Sequence, residues 1–326
     1  MTSVPTVSFV IPVRNDATRL ERCLRSILAN GTSVPFEIVV ADNGSTDNSA
    51  DVAARAGATV ISLPDRAVSE VRNDAVRRTR APLLAFVDAD QELAPGWLAA
   101  AAGLFGSPTV WAAGADYHAP VDGTWVQRVY DRFRSHTAGP VPVDWLPSGN
   151  LVVRRTAFDR IAGFDTTLES CEDVDFCRRI REAGGTLVES AALRSIHHGD
   201  PRTLRALFLS ELWRGRDNLR VSLRERLTLR SAPSVVIPVA YLLALAALVS
   251  GLVVLLAGGG VTLAVAGGAV AFGLTTLRAL RLSLRRVPGE GRLTILFRAW
   301  PVAATYDVAR ALALVTRASH DVRRKG

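Results

Sequence analysis

Short apolar runs and helical stripes alternate along the first ninety residues of the chain. Four mainly apolar runs predict β-strands, and they cover residues 7–15, 36–41, 59–62 and 83–87. Between them, apolar positions recur at helical spacing over residues 18–28, 48–56 and 68–79. Strands and helices in this order predict a doubly wound, mostly parallel α/β sheet, because two parallel strands need a crossover helix between them.

Two long uncharged stretches dominate the last third of the chain. They cover residues 235–257 and 261–277, and the glycines at 258–260 separate them. Each stretch is near the roughly 20 residues that span a bilayer as a helix. We expect a transmembrane helical hairpin with the glycines at its turn. A buried helical pair in a soluble core is the alternative, although such helices rarely lack charge over this length.

Amphipathic stretches flank this hairpin on both sides. Apolar residues share one helical face at Leu204, Leu207, Phe208 and Leu212, and again at Leu293, Leu296, Phe297 and Trp300. We predict two interfacial helices on the inner leaflet, the second of them interrupted by Pro301. A third span over residues 293–315 stays open but is disfavoured, because it would carry Arg298, Asp307 and Arg310 into the bilayer.

The net charge of +8 is unevenly distributed along the chain. Residues 1–201 carry 20 basic and 25 acidic side chains, whereas residues 202–230 carry 8 and 3, and residues 278–326 carry 11 and 3. The basic residues beside the hairpin include Arg224, Arg226, Arg230, Arg278, Arg281, Arg285 and Arg286. By the positive-inside rule both flanks face the cytoplasm, where they attract anionic membrane lipids. This placement, and the lack of a binding motif, argue against nucleic acid as a partner.

The predicted strand over residues 83–87 ends in two carboxylates, Asp88 and Asp90. Open α/β sheets bind ligands at the carboxyl ends of their strands. Carboxylates there suit Mg²⁺ or Mn²⁺, which usually share their coordination with substrate phosphates. A strand-end turn or a helix cap is the alternative for an isolated Asp-x-Asp. Glycine-rich dinucleotide and P-loop turns are absent from the sequence, so neither of those sites is expected.

Five segments occur in a characteristic order. They are Ser8-Phe9-Val10-Ile11-Pro12-Val13-Arg14-Asn15, Val40-Ala41-Asp42-Asn43-Gly44-Ser45-Thr46-Asp47, Arg72-Asn73-x-Ala75, Asp88-Ala89-Asp90, and Gly163-Phe164-Asp165 followed by Glu172-Asp173-Val174-Asp175. With them the chain resembles glycosyltransferase family 2, whose catalytic domain has the GT-A fold. The expected organisation is a GT-A domain over residues 1–200, a basic juxtamembrane segment over 201–232, two transmembrane helices over 233–277 and a basic cytoplasmic tail over 278–326.

The resemblance implies a site for a nucleotide-sugar donor. The nucleotide-binding residues would be Pro12, Arg14, Asp42, Asn43, Arg72 and Asp88. Asp90 would hold Mg²⁺ or Mn²⁺ on the diphosphate, and His198 is a further candidate ligand, with an ordinary loop histidine as the alternative. Many family members carry two acids where this chain has Asp42 and Asn43, and an amide can donate as well as accept. That departure leaves the nucleotide open: UDP is favoured, with dTDP and GDP as alternatives.

The resemblance also implies an inverting transfer with one general base. Asp173 would take the proton from the acceptor hydroxyl, and Glu172 would help to orient the acceptor. The alternative is that these acids only stabilise the first turn of a helix through its dipole. Ser148, Gly149 and Asn150 would line the acceptor pocket, with a simple turn as the alternative.

The sequence as a whole predicts a glycosyltransferase anchored in the cytoplasmic (inner) membrane, with its catalytic domain in the cytoplasm. The predicted acceptor is a lipid-linked molecule or a membrane-associated glycan, which suits cell-envelope polysaccharide or glycolipid synthesis. A non-catalytic membrane subunit that retains a nucleotide-sugar-binding fold is the alternative. The three cysteines lack a Cys-x-x-Cys pair and predict free thiols, and no secretory signal is expected. The donor sugar, the acceptor and a homo-oligomeric state are left open.

Overall fold

A computed structural model describes residues 5–31, 33–134, 137–225, 228–229, 231–284 and 291–316. The chain divides into two compact units. The first comprises Met1–Val121 and Arg134–Asp200, and the second comprises Asp122–Phe133 and Pro201–Gly326. The middle segment Asp122–Phe133 thus groups with the C-terminal helices, which no sequence pattern indicated. Four residues of the predicted basic flanks lie outside the described residues: Arg226, Arg230, Arg285 and Arg286.

The strands all belong to the first unit. Within the described residues they are β1 Val7–Val13, β2 Phe36–Asp42, β3 Thr59–Ser62, β4 Leu83–Val87, β5 Gln91–Leu93, β6 Val110–Gly114, β7 Tyr117–His118, β8 Val141–Val143, β9 Asn150–Arg154, β10 Thr186–Glu189 and β11 Ser195–His197. The helices are α1 Ala17–Ala29, α2 Ser49–Arg55, α3 Val68–Val76, α4 Trp97–Leu104, α5 Trp125–Asp131, α6 Arg155–Arg160, α7 Glu172–Glu182, α8 Leu204–Arg214, α9 Asn218–Ser222, α10 Pro233–Leu256, α11 Thr262–Leu284 and α12 Arg292–Leu312.

The large sheet of the first unit has the strand order β3-β2-β1-β4-β9-β6-β10-β8. Strand β1 pairs in parallel with β2 and β4, and β2 pairs in parallel with β3. Strand β9 runs antiparallel to both β4 and β6. The predicted mostly parallel α/β sheet is confirmed, and all seven elements predicted over residues 7–87 are present.

Apolar layers cover both faces of this sheet, because successive residues of a strand point to opposite sides. On one face Phe9 and Ile11 pack in a cluster with Leu24 of α1. On the other face Val10 and Phe86 pack in a second cluster with residues of α3, α6 and α7. The central strands are therefore fixed from both sides, and their carboxyl ends offer a rigid platform for polar side chains.

A second, three-stranded sheet has the order β5-β11-β7. Its strand β11 pairs antiparallel with β5, which sets His197 opposite Gln91, and parallel with β7, which sets Ser195 opposite Tyr117. Because β5 begins directly after Asp90, this small sheet brings β11 to the acid that follows β4.

In the second unit, α10 and α11 are the helices of the described chain that are long and apolar enough to cross a membrane, by length and composition. Only 17% and 28% of their most apolar segments are buried inside the chain. Large side chains such as Leu243, Val253 and Phe272 are about 60% exposed or more. A buried pair in a soluble core would hide these side chains, so the exposure fits the predicted hairpin better.

The helix that was expected to end before Pro301 continues through it, so that expectation was wrong. Helix α12 runs over Arg292–Leu312 with Pro301 inside. A proline in a helix interior costs about 3 kcal/mol or more. Ala299, Val302 and Ala303 on both sides of the proline are fully buried in one cluster with residues of α5, α8 and α11. Tertiary packing of this face offsets the missing hydrogen bond.

Candidate active site

The loop before β9 lies directly against the carboxyl end of β4. The Asp88 N–H donates to the carbonyl oxygen of Gly149 (3.1 Å), because β9 starts at Asn150 and pairs antiparallel with β4. A Cβ atom at Gly149 would lie 2.5 Å from Asp88 Oδ2 and 2.7 Å from Tyr117 Oη. Only glycine therefore lets this backbone approach the carboxylate so closely.

Arg72 links the end of β4 to the start of α7. Its guanidinium is buried, and it donates from Nη2 to Asp88 Oδ1 (2.7 Å) and from Nη1 to Glu172 Oε1 (2.8 Å). Ser148 Oγ donates to the same Glu172 oxygen (3.2 Å). Burial lowers the pKa of Arg72, but the charges of Asp88 and Glu172 outweigh it and raise the pKa overall. Arg72 is thus a permanent cation that holds two carboxylates in place.

Asp173 occupies the first turn of α7, which follows Cys171 in the left-handed region (φ 58°). It is half-buried, and the Val174 N–H donates to its Oδ1 (2.8 Å). Burial, followed by the charge of the neighbouring Glu172, raises the pKa of Asp173 to about 7. A carboxylate that titrates near neutrality can accept a proton from a hydroxyl and hold it, as a general base must.

His197 lies beside Asp90 at the end of the second sheet. Its Nε2 is 3.3 Å from Asp90 Oδ2, and its Nδ1 is 2.6 Å from Asp200 Oδ1. Burial lowers the pKa of His197, but the charges of Asp90 and Asp200 raise it to about 9. Gly199 is needed here as well, since a Cβ atom at that position would collide with the Asp90 carboxylate.

Further side chains hold this histidine in position. Arg134 Nη1 donates to Asp200 Oδ2 (2.7 Å). The ring of Tyr117 stacks on that of His197 with centroids 4.9 Å apart, and the Arg134 guanidinium lies 5.4 Å from the Tyr117 ring. Both the orientation and the hydrogen bond at Nδ1 of His197 are therefore set by neighbours, which is the usual arrangement around a metal-binding imidazole.

His198, the histidine singled out from the sequence, turns its ring elsewhere. Its Nε2 is 2.7 Å from Glu92 Oε2, and its Nδ1 is 2.7 Å from Arg22 Nη1. Its backbone N–H, however, donates to the carbonyl oxygen of Asp90 (2.9 Å). Successive residues at a strand end point to opposite sides. The ring of His197 therefore reaches Asp90, whereas the ring of His198 reaches Glu92.

Four of the predicted nucleotide-binding residues lie at the ends of β1 and β2. Asp42 is buried at the end of β2, and its Oδ1 accepts from the Ser45 N–H (2.8 Å). Asn43 pairs with the backbone of Arg66 in both directions, donating from Nδ2 to the carbonyl (2.9 Å) and accepting from the N–H at Oδ1 (3.1 Å). Arg14 Nη2 is 3.3 Å from Asp65 Oδ1. The two hydrogen bonds of the Asn43 amide hold the loop that contains Arg66 next to the end of β2.

Pro12 and Arg14, the first predicted pair, are both partly exposed. Pro12 lies within β1, and Arg14 follows its last residue. Their position at the carboxyl end of a central parallel strand is where open α/β sheets bind ligands.

The three residues predicted for the acceptor pocket differ in placement. Ser148 and Gly149 contact Glu172 and Asp88 respectively, as described above. Asn150 is fully buried: its Nδ2 donates to the carbonyl of Leu193 (2.7 Å), and its Oδ1 accepts from Trp97 Nε1 (3.0 Å). The Asn150 side chain therefore ties core segments together and does not face a pocket surface.

Asp90 and, once its Nε2 proton is displaced, His197 offer ligands to a divalent cation. The side chains of Asp90 and His197 are 14% and 4% exposed, respectively. Nδ1 of His197 pairs with Asp200, so Nε2 faces the Asp90 carboxylate. Within the described residues, no three His, Cys, Asp or Glu side chains converge as a complete metal cage. Two protein ligands suit Mg²⁺ or Mn²⁺, which take their remaining ligands from substrate phosphates and water.

Several site residues were missed from the sequence. Tyr117 and Arg134 lie far from His197 in the sequence: the pairing of β7 with β11 brings Tyr117 to it, and Arg134 reaches it through Asp200. The one available signal was the His197-His198-Gly199-Asp200 run, in which an acid follows a histidine pair within a turn's length.

The sequence profile described as Glycosyl transferase family 2 matches residues 8–163. That span carries Arg72, Asp88 and Asp90, and the fold around them is the mixed sheet described above. Over residues 8–163 the chain therefore matches glycosyltransferase family 2, and its mixed sheet has the GT-A fold.

Two curated relatives illustrate the similarity. Pre-mycofactocin glycosyltransferase of Mycobacterium tuberculosis is 31% identical over 194 residues, which cover 56% of this chain and 40% of that protein. Glycosyltransferase AglE of Haloferax volcanii is 26% identical over 242 residues, which cover 71% of this chain and 79% of that protein. The chain thus spans less than half the length of the first of these relatives.

Two solved structures share the fold. The mannosyltransferase PcManGT of Pyrobaculum calidifontis, solved with GDP-Man and Mn²⁺, has a TM-score of 0.60 at 18% identity and covers 95% of this chain and 87% of that one. S. aureus TarS (residues 1–349) has a TM-score of 0.52 at 16% identity and covers 93% and 90%. At such low identity the likeness is one of fold.

Proposed function

We propose that this chain transfers a sugar, with inversion, from a nucleoside-diphosphate donor to a hydroxyl group of a lipid-linked or other membrane-associated acceptor. The observation that carries this proposal is the network in which buried Arg72 pairs both with Asp88, directly after β4, and with Glu172, the residue before Asp173. The family match over residues 8–163 and the nucleotide-sugar and Mn²⁺ complex of one structural neighbour support it.

Donor binding falls to residues at the ends of β1, β2 and β4. Asp42 and Arg14 would contact the nucleoside, and Asp88 the ribose or a metal-bound water. Asp90 and His197 would hold Mg²⁺ or Mn²⁺, and a cation bound there supplies positive charge against the diphosphate as it leaves. The assignment of His197 replaces that of His198, because His197 is the one whose ring reaches the Asp90 carboxylate.

Asp173 would act as the general base. As the acceptor oxygen forms its bond to the anomeric carbon and the bond from that carbon to the diphosphate oxygen breaks, the hydroxyl proton passes to a carboxylate oxygen of Asp173. A single displacement inverts the anomeric configuration. Glu172 cannot easily take this role, since Arg72 and Ser148 both donate to its Oε1.

The acceptor is assigned to the membrane because two helices of the second unit are long and apolar enough to span it. Arginine-rich flanks in the sequence would keep the catalytic domain on the cytoplasmic side of the inner membrane.

Turnover of a panel of UDP-, dTDP- and GDP-sugars tests the proposal, with release of free nucleoside diphosphate measured in the purified full chain. We expect one donor class to release nucleotide in Mn²⁺ or Mg²⁺ and to stop in EDTA. A membrane extract is supplied as the source of acceptor. If the chain binds a donor tightly but releases no nucleoside diphosphate under these conditions, it is a non-catalytic subunit.

A further inference from the structure

A groove of about 480 Å³ lies within the second unit, between the end of α5 and the helices α10 and α11. Three arginines line it: Arg132, Arg278 and Arg281. No acidic side chain occurs among the described residues that line it. The groove therefore presents concentrated positive charge on a unit whose long helices are otherwise apolar.

Two of these arginines are held in place by contacts with the protein. Arg132 Nη1 donates to the carbonyl oxygen of Leu282 (3.0 Å). Arg278 Nε donates to Asp307 Oδ1 (2.8 Å), and its guanidinium lies 4.8 Å from the Tyr306 ring. Arg281 is exposed, and none of the described residues forms a hydrogen bond with it. Three arginines thus line the groove, and Asp307 pairs with one of them, so a negative ligand meets positive charge there.

The other side of the groove is apolar, and Ile237, Leu274 and Leu277 belong to it. Leu277 is 57% exposed. Residues 261–277 carry no charge, and the arginines begin at position 278. On a membrane-spanning helix this change from apolar to basic marks the level where hydrocarbon meets headgroups.

We propose that this groove binds an anionic membrane phospholipid. Its phosphate would contact the guanidinium groups, which suit phosphate oxygens through paired N–H donors, and an acyl chain would lie along the isoleucine and leucines. The apolar half favours a lipid over a free anion, which would leave that surface in water. This site rests on the membrane placement under the proposed function, and it is separate from the residues that bind donor and metal.

The test measures thermal unfolding of the purified full chain in neutral detergent, with no sugar donor present. Added lipids are phosphatidylglycerol, phosphatidylcholine and a polyprenyl phosphate, and sodium phosphate alone is a further arm. Arg281→Gln removes an exposed arginine of the groove. Arg292→Gln is its matched control, because it removes the same charge from an exposed residue of the same unit that does not line the groove.

We expect phosphatidylglycerol to raise the melting temperature of the wild type and of Arg292→Gln alike. Arg281→Gln should need about fivefold more of this lipid, the effect of losing one arginine contact to an anionic headgroup. Equal responses of the two variants would overturn the site. An equal effect of phosphatidylcholine or of free phosphate, or a response to the polyprenyl phosphate alone, would overturn the choice of ligand. Because no transfer is measured, failure here leaves the proposed transferase activity untouched.

Discussion

At the scale of single residues, Arg72 does most to organise the site. It shares its guanidinium between Asp88 and Glu172, which come from distant parts of the sequence. Removing one partner of a buried ion pair typically costs about 3–5 kcal/mol, since a charge is left without compensation. Arg72 therefore fixes the start of α7, and with it the position of Asp173.

Gly149→Ala tests how tightly the loop covers Asp88. The added methyl group would meet Asp88 Oδ2 at 2.5 Å, so the carboxylate or the loop must shift. We expect turnover to fall about a hundredfold, the effect of a misplacement of about 1 Å at a reacting centre. Gly139→Ala is the control, because a Cβ atom there meets nothing within 4 Å. Wild-type turnover by both variants would show that the close approach of the Gly149 backbone to the Asp88 carboxylate is not needed for activity.

The raised pKa of Asp173 predicts the pH dependence of transfer. The base must be ionised, and its pKa is about 7, so the protonated, inactive fraction grows as the pH falls below that value. We expect kcat/KM to drop about tenfold per pH unit below pH 7 and to level off above it.

Glu172→Gln should move this acidic limb to lower pH, because it removes the negative charge that helps to raise the pKa of Asp173. Asp159→Asn removes an exposed carboxylate of the first unit and should leave the profile where it is. An acidic limb that stays fixed in Glu172→Gln would show that another group controls it.

At the scale of elements, the three-stranded sheet β5-β11-β7 decides which histidine meets the acid. Strand β11 ends at His197, which lies opposite Gln91 of β5. The preceding residue, Ile196, pairs with His118 of β7. The pairing fixes the register, and the register turns His197 towards Asp90 and His198 towards Glu92.

The two neighbouring histidines provide a matched pair of variants. His197→Gln should weaken Mn²⁺ binding in the presence of UDP by about 10- to 100-fold, a loss that even outer-shell partners of a metal can cause. His198→Gln should bind Mn²⁺ like the wild type. Calorimetric titration of the metal measures both without relying on turnover. The opposite ranking would restore His198 as the ligand.

The elements over residues 7–87 could be predicted because their patterns are local. Each strand or helix there is signalled by its own apolar period. The register of β11 could not be predicted in this way, because a shift of one residue exchanges the roles of His197 and His198. Helix α12 continues through Pro301 because it packs against residues that are distant in the sequence. The rule that a proline interrupts a helix considers only the local sequence, so it could not predict this.

At the scale of the whole molecule, the second unit contains the two helices that are long and apolar enough to cross a membrane. Helix α5 belongs to this unit, and Tyr130 of α5 donates to the buried carboxylate of Glu211 (2.5 Å), which also accepts from Arg310 (2.8 Å). The sequence signalled α10 and α11 by their lack of charge. It could not signal α5 as part of this unit, because the short apolar face of a seven-residue helix fits many partners.

Leu243→Lys tests the membrane placement. Leu243 lies near the middle of α10 and is 65% exposed. A lysine at the centre of a spanning helix costs about 2.5–3.5 kcal/mol, whereas on a water-exposed surface it is nearly neutral. We expect a smaller membrane fraction after carbonate extraction. Leu28→Lys changes an exposed leucine of α1 and should have no effect. Equal membrane fractions for both variants would contradict the proposed span.

The role of Asp173 as the general base is tested by glycosyl transfer in Asp173→Asn, measured together with donor affinity. The amide keeps the size of the side chain but cannot take up the acceptor proton. We predict a rate about 10²- to 10⁴-fold below that of the wild type, with nearly normal donor affinity and with Asp159→Asn fully active. Transfer at the wild-type rate by Asp173→Asn would contradict its role as the base.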